Sequence, residues 1–276
     1  MRAKDRAARF AATFHAPQPG EEVIRLEGVH KSFGRLHVLK GIDLSFRHGQ
    51  TTVVLGRSGC GKSVLLKLVI GILRPDEGRV TVFGRDLSEL DRVELETLRL
   101  HFGMLFQGAA LFDSMDVNEN VGFLLYEHSD KSDDDIRRTV REKLGMVGLA
   151  HVENMMPEEL SGGMKKRVAL ARAITMDPHI VLYDEPTTGL DPVSADLIND
   201  LIIKTQTELK ATSIVVTHDM ASANKIADRM VMLYQGGIIV DDTPAGVARS
   251  SDSRVQSFIR GDASLDTSAA ANGGLA

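Results

Sequence analysis

The sequence predicts an α/β fold in which short buried strands alternate with amphipathic helices. An antiparallel β portion comes early and a helical insertion comes midway. Three observations carry that expectation. Residues 51–55 and 180–183 are short apolar or β-branched runs bounded by turn residues, the pattern of strands buried on both faces. The first opens into the glycine-rich stretch Gly56-Arg57-Ser58-Gly59-Cys60-Gly61-Lys62-Ser63, and a helical pattern follows at once over 64–72. The second opens into adjacent carboxylates, Asp184 and Glu185, which are costly at the end of a core strand without a cation or a reaction to serve.

Taken in order, residues 1–20 place Arg2, Lys4, Arg6 and Arg9 among alanines, without the apolar segment of a secretory signal. They read as a flexible basic extension, set off by Pro17, Pro19 and Gly20 from a domain over 21–261. Residues 23–29 alternate apolar and polar, as a half-buried strand should, and Ile42, Leu44 and Phe46 mark a second strand. Gly49-Gln50 turns the chain into the strand at 51–55. Beyond the glycine loop, Val80 and Val82 mark a strand, 91–100 a helix, and 104–106 a short strand ending at Gln107.

Residues 108–165 read as a helical subdomain. Its acidic run, 129–135, suits the start of a helix carried by Ile136, Val140, Leu144 and Val147, because acids favour that end. Ser161 can cap the next helix, whose first turn is Gly162, Gly163 and Met164, leaving N–H groups to face an anion. Val168, Leu170, Ala171 and Ile174 give that helix an apolar face. After the carboxylates come a helix over 194–209 and a buried strand over 213–217 that ends in His218-Asp219. A hairpin at Gly236-Gly237 joins the last strands, and 262–276 reads as a disordered tail with little to bury.

Composition narrows the classes. Among 276 residues, 33 basic and 38 acidic side chains give a net charge of −5, so no general polyanion surface and no nucleic-acid partner is expected. The single cysteine, Cys60, excludes an internal disulfide framework. No stretch reaches the ~20 apolar residues that span a bilayer, so any membrane role must run through a partner.

The glycine loop carries the chemistry. It matches G-x-x-x-x-G-K-[ST] without deviation, in the strand–loop–helix setting the motif requires. Its glycines let backbone N–H groups curl around phosphate oxygens, and the helix N-terminus adds its positive end. Lys62 is expected to neutralise the β- and γ-phosphates of ATP, and the Ser63 hydroxyl to ligate Mg²⁺. These residues describe a P-loop NTPase. A chemical role for His218 is suggested by its place at the end of a core strand.

With Leu160-Ser161-Gly162-Gly163 beside that loop, the chain resembles the nucleotide-binding subunits of ABC transporters over 23–261. The resemblance implies a P-loop core with an antiparallel β subdomain and an inserted helical signature subdomain. It implies that Phe33 stacks on adenine and that residues 56–64, through Val64, cradle ATP. Gln107 would reach Mg²⁺ and the attacking water, Asp184 would hold Mg²⁺, and Glu185 would be the general base. His218 would touch the γ-phosphate, and Asp191 would cross to a second subunit. Ser161, Gly162 and Gly163 would serve the ATP of that second copy, giving a head-to-tail homodimer.

The run Met104-Leu105-Phe106-Gln107-GAALFDSMDVNENV, together with SGGMKKRVALARA, is similar to the ATPases of Mce/Mla-type phospholipid transport systems. Most ABC subunits carry SGGQ-x-Q-R where this chain has Met164, Lys165 and Lys166. That branch implies an integral membrane permease, a Mce-type substrate-binding protein, and a peripheral position on the cytoplasmic face of the inner membrane. The alternatives are another ABC importer or exporter, for lipoproteins or amino acids, and a soluble non-transport ABC ATPase. Repair and chromosome ATPases separate the two motifs by long coiled coils, whereas Ser63 and Ser161 lie about 100 residues apart with no heptads between.

Overall fold

The computed structural model describes residues 3–262. Helix α1 (Ala3–Ala12) precedes strands β1 (Glu22–Phe33), β2 (Leu36–Arg47) and β3 (Thr51–Leu55), then helix α2 (Lys62–Val69). Next come β4 (Glu77–Val82), β5 (Arg85–Asp86), α3 (Arg92–Arg99) and β6 (Phe102–Leu105). The insertion supplies α4 (Val117–His128) and α5 (Asp133–Met146), followed by α6 (Gly162–Ala173) and β7 (Ile180–Asp184). The chain continues through α7 (Pro192–Leu209), β8 (Thr212–Thr217), α8 (Met220–Ile226), β9 (Arg229–Tyr234) and β10 (Gly237–Asp242). It ends in α9 (Pro244–Ala248) and α10 (Ser253–Arg260).

Two sheets form. Strands β2-β1-β4-β5 make an antiparallel sheet, and β10-β9-β3-β8-β7-β6 make a larger one that is parallel except for the β9–β10 hairpin. Successive side chains of a strand point to opposite faces, and the central strands show it. Val53 and Leu55 join one apolar cluster while Val54 joins the other. Val181 and Tyr183 split in the same way from Ile180 and Leu182. One cluster lies under α4 to α7; the other fills the space between the two sheets around α2. The insertion therefore has no core of its own, since Val117, Val121, Ile136, Val140 and Leu144 share a cluster with the sheet.

Helix starts follow the local chemistry. Asp91 and Asp116 form capping boxes with Glu94 and Glu119, and Ser132 caps α5, whose first turn is Asp133, Asp134 and Asp135. The acidic run is thus a helix start. The extension expected over 1–20 contains α1, whose Phe10 is buried, and Phe14 stacks on His101 with ring centroids 3.8 Å apart. Those aromatic rings attach the segment to the domain. The expected tail, apart from Asp262, and Arg2 of the extension lie outside the described residues.

Candidate active site

Register assembles the site. β7 pairs with β8 so that Asp184 faces Val216, and β3 pairs with β8 so that Leu55 faces Thr217. The C-terminal ends of three core strands therefore share one edge, where an α/β sheet opens to ligands. Beyond them lie the glycine loop, Glu185 and His218.

The loop wraps its own lysine. Lys62 is 6% exposed, and its Nζ donates to the carbonyls of Gly56 at 2.6 Å and Arg57 at 3.2 Å. The same Nζ lies 3.3 Å from Glu185 Oε1. Gly61 caps α2 at φ 109°, and a Cβ there would come within 2.8 Å of Leu39, so only glycine fits. The Ser63 hydroxyl donates to Asp184 Oδ1 at 2.9 Å. Burial pushes the Asp184 carboxyl above the usual carboxylate range, opposed by this hydrogen bond and reinforced by the Glu185 charge.

Glu185 is the most constrained residue here. It has φ 48°, a left-handed conformation uncommon outside glycine, and its N–H donates to the Val216 carbonyl at 2.9 Å. His218 Nδ1 lies 2.9 Å from Oε2, and the Thr188 hydroxyl donates to the same oxygen at 3.2 Å. The carboxylate is 8% exposed, yet both oxygens have partners.

A cavity of about 360 Å³ opens beside these groups and gathers half of the expected residues, while His218 lines a neighbouring cavity. Phe33, Ser58, Gly59, Gly61, Lys62, Ser63, Val64, Gln107 and Glu185 line it. Phe33 is 48% exposed at its rim, with Lys31 Nζ over its ring 5.7 Å from the centroid. Cys60 sits in the loop with its thiol pushed up by burial, against the pull of Lys62. Arg57 turns away, donating to the Asp262 carbonyl at 2.8 Å.

Ser161, Gly162, Gly163 and Asp191 do not line this cavity. Ser161 is exposed and caps α6 by accepting from the Met164 N–H at 3.3 Å; Gly162 beside it is open. Gly163 faces Ser194 of α7, and Asp191 caps α7 by accepting from the Val193 and Ser194 N–H groups, both at 3.0 Å. Two contacts of Glu185 escape sequence reasoning: Thr188 and Lys166. Lys166, read in the sequence only as part of the Met164-Lys165-Lys166 variation, is in register with Ala169, Leu170 and Ala173 on a helix face that is buried.

The parallel core, the phosphate loop and the carboxylate pair at the strand edge define a P-loop ATPase. The ABC transporter family model matches residues 39–188, and the chain belongs to that family as an ATP-binding, ATP-hydrolysing subunit. Protein TRIGALACTOSYLDIACYLGLYCEROL 3, chloroplastic, of Arabidopsis thaliana is 43% identical over 260 residues, 88% of this chain and 74% of its own. The probable ribonucleotide transport ATP-binding protein mkl of Mycobacterium tuberculosis is 41% identical over 238 residues, 86% of this chain and 66% of its own. The intermembrane phospholipid transport system ATP-binding protein MlaF of Haemophilus influenzae is 38% identical over 242 residues, 88% of this chain and 92% of its own. Among solved structures, a dimeric post-hydrolysis state of the ATP-binding cassette MJ0796 bound to ADP and Pi superposes with a TM-score of 0.74. It is 31% identical, covering 80% of this chain and 98% of that one. Among the described residues, no helix is long and apolar enough to cross a membrane.

Proposed function

We propose that this chain powers a membrane phospholipid transport system, with two copies closing head to tail on two ATP molecules to drive a separate permease. The observation that carries the reading is Glu185, held between Lys62 and His218 at the mouth of the phosphate loop. Lys62 rests on two loop carbonyls and on Glu185. Phosphate oxygens would replace those partners, freeing Oε1 to accept a proton from the attacking water. His218 keeps Oε2 oriented. Phosphoryl transfer depends mostly on positioning and charge neutralisation, which these groups supply.

The donor set fits Mg²⁺. The Ser63 hydroxyl and Asp184 carboxylate are hard oxygens already 2.9 Å apart, and Gln107 adds an amide oxygen on the same cavity. Held by these residues, the cation would supply positive charge to neutralise the phosphates. Phe33 would stack on adenine, and residues 56–64 would hold the phosphates. Ser161, Gly162 and Gly163 would complete the partner's site, with Asp191 beside them at the dimer contact. Their absence from this cavity's lining supports that assignment.

The unit over 21–261 would sit on the cytoplasmic face through the permease, with a Mce-type protein as the cargo-binding component. The phospholipid reading draws on the MlaF relative and on the Met164-Lys165-Lys166 variation; the mycobacterial relative's name favours a nucleotide cargo instead. Purification from detergent-solubilised membranes, followed by lipid analysis of a deletion strain, tests both. Recovery of a permease, with changed envelope phospholipid distribution and unchanged ribonucleotide uptake, is the expected result. Lost uptake of labelled ribonucleotide with normal lipids would overturn the phospholipid assignment, and recovery with ribosomes or DNA would overturn transport.

A further inference from the structure

Lys166 stands apart from the residues already assigned. It lies in the second turn of α6, the helix whose exposed end is capped by Ser161, yet its side chain is 5% exposed. A lysine ammonium is rarely buried without a partner. Its Nζ donates to the backbone carbonyl of Glu185 at 3.4 Å. Burial lowers its pKa, while the charges of Asp184 and Glu185 oppose that shift.

Glu185 is therefore approached by two lysines from different sides. Lys62 meets its carboxylate and belongs to the phosphate loop. Lys166 meets its peptide oxygen and belongs to the signature helix. The peptide it meets is the one in the left-handed conformation, which persists only where surroundings over-determine it. When ATP draws Lys62 away, the contact from Lys166 remains, since it does not line the nucleotide cavity.

We propose that Lys166 is a positioning residue, tying the signature helix to the Glu185 peptide so that the carboxylate keeps its aim during hydrolysis. This rests on the reading of Glu185 as the base. The test compares Lys166→Met, Lys166→Arg and Glu185→Gln in the full chain. ATP affinity, kcat and melting temperature are measured for each. Methionine fills the buried space without a donor or charge, so the fold is retained. Lys166→Met should lower kcat about tenfold or more, with ATP affinity and melting temperature unchanged. Lys166→Arg, which keeps cation and donor, should restore most of the rate.

A Lys166→Met chain that turns over at the unsubstituted rate overturns the proposal. So does one that loses affinity and melting temperature along with kcat, or an arginine variant with no recovery. Glu185→Gln separates the two readings. If it still hydrolyses ATP, the assignment of the base fails. If it is inactive while Lys166→Met turns over at the unsubstituted rate, only the role of Lys166 fails.

Discussion

Two helix N-termini in this molecule are suited to phosphate, and they are built in opposite ways. The start of α2 lies inside the cavity, with no side-chain cap and Lys62 buried beside it. The start of α6 is exposed and is capped by Ser161. Neither has an acid in its first turn, whereas α3, α4 and α5 carry Glu94, Glu119 and Asp133 to Asp135 there, and α7, α8 and α10, acid-free in that turn, are capped by the carboxylates of Asp191, Asp219 and Asp252. An acid would neutralise the positive helix end that an anion needs. The difference teaches that one end faces its own protomer's cavity while the other is presented outward. On the proposed reading, one polypeptide would supply two incomplete sites, which a second copy would complete.

The largest expected effect breaks the inner site alone. Glu185→Gln should retain ATP binding and the His218 contact while turnover falls about 10²- to 10⁴-fold, as removing a general base does. A phosphate-release assay checks the rate, and size-exclusion chromatography with ATP should show an accumulated dimer. Residual hydrolysis near the unsubstituted rate would assign the base elsewhere.

The outer end is broken by Ser161→Asp. Aspartate caps helices as well as serine, so α6 should keep its start while its end turns repulsive to phosphate. ATP binding to one protomer should survive, and ATP-dependent dimerisation should weaken by several kcal/mol, about a hundredfold or more. Unchanged dimerisation in analytical ultracentrifugation would contradict the outward role. Lys62→Ala should do the reverse, weakening ATP binding itself by about 10- to 100-fold through loss of a charge-assisted contact. A fluorescent-ATP titration reads this directly.

The smallest effect uses Cys60, a thiol in the inner loop. Burial raises its pKa, so less thiolate is present at neutral pH. Alkylation should be slow there and should accelerate about tenfold per pH unit as pH rises toward the raised pKa. It should block hydrolysis, and ATP should protect against it. Alkylation that leaves activity intact would remove Cys60 from the nucleotide's surroundings.

Much of this arrangement was legible in the chain because it is local. The loop 56–63 needs its glycines and lysine at fixed spacing, and the runs at 51–55 and 180–183 declare buried strands by composition alone. The caps Asp91, Asp116 and Ser132 precede their helices by one residue, so near-neighbour chemistry suffices to place them. Helix α1 was less legible. Its attachment depends on Phe10 entering a distant apolar cluster and on Phe14 meeting His101, contacts that helical spacing does not announce.

The sequence by itself determined that this protein binds a nucleoside triphosphate, that a carboxylate pair ends a core strand, and that Ser161 caps an acid-free helix start. Those features depend on residues a few positions apart. Only the tertiary structure decided what surrounds Glu185. His218 is 33 residues away in sequence and reaches it because β7 and β8 pair in one particular register. Lys62 and Lys166 reach it from two different helices. The same packing holds Ser161 away from the cavity that Glu185 lines. Strand pairing and helix docking join groups far apart in the chain, and these contacts do not follow from the spacing of either group alone.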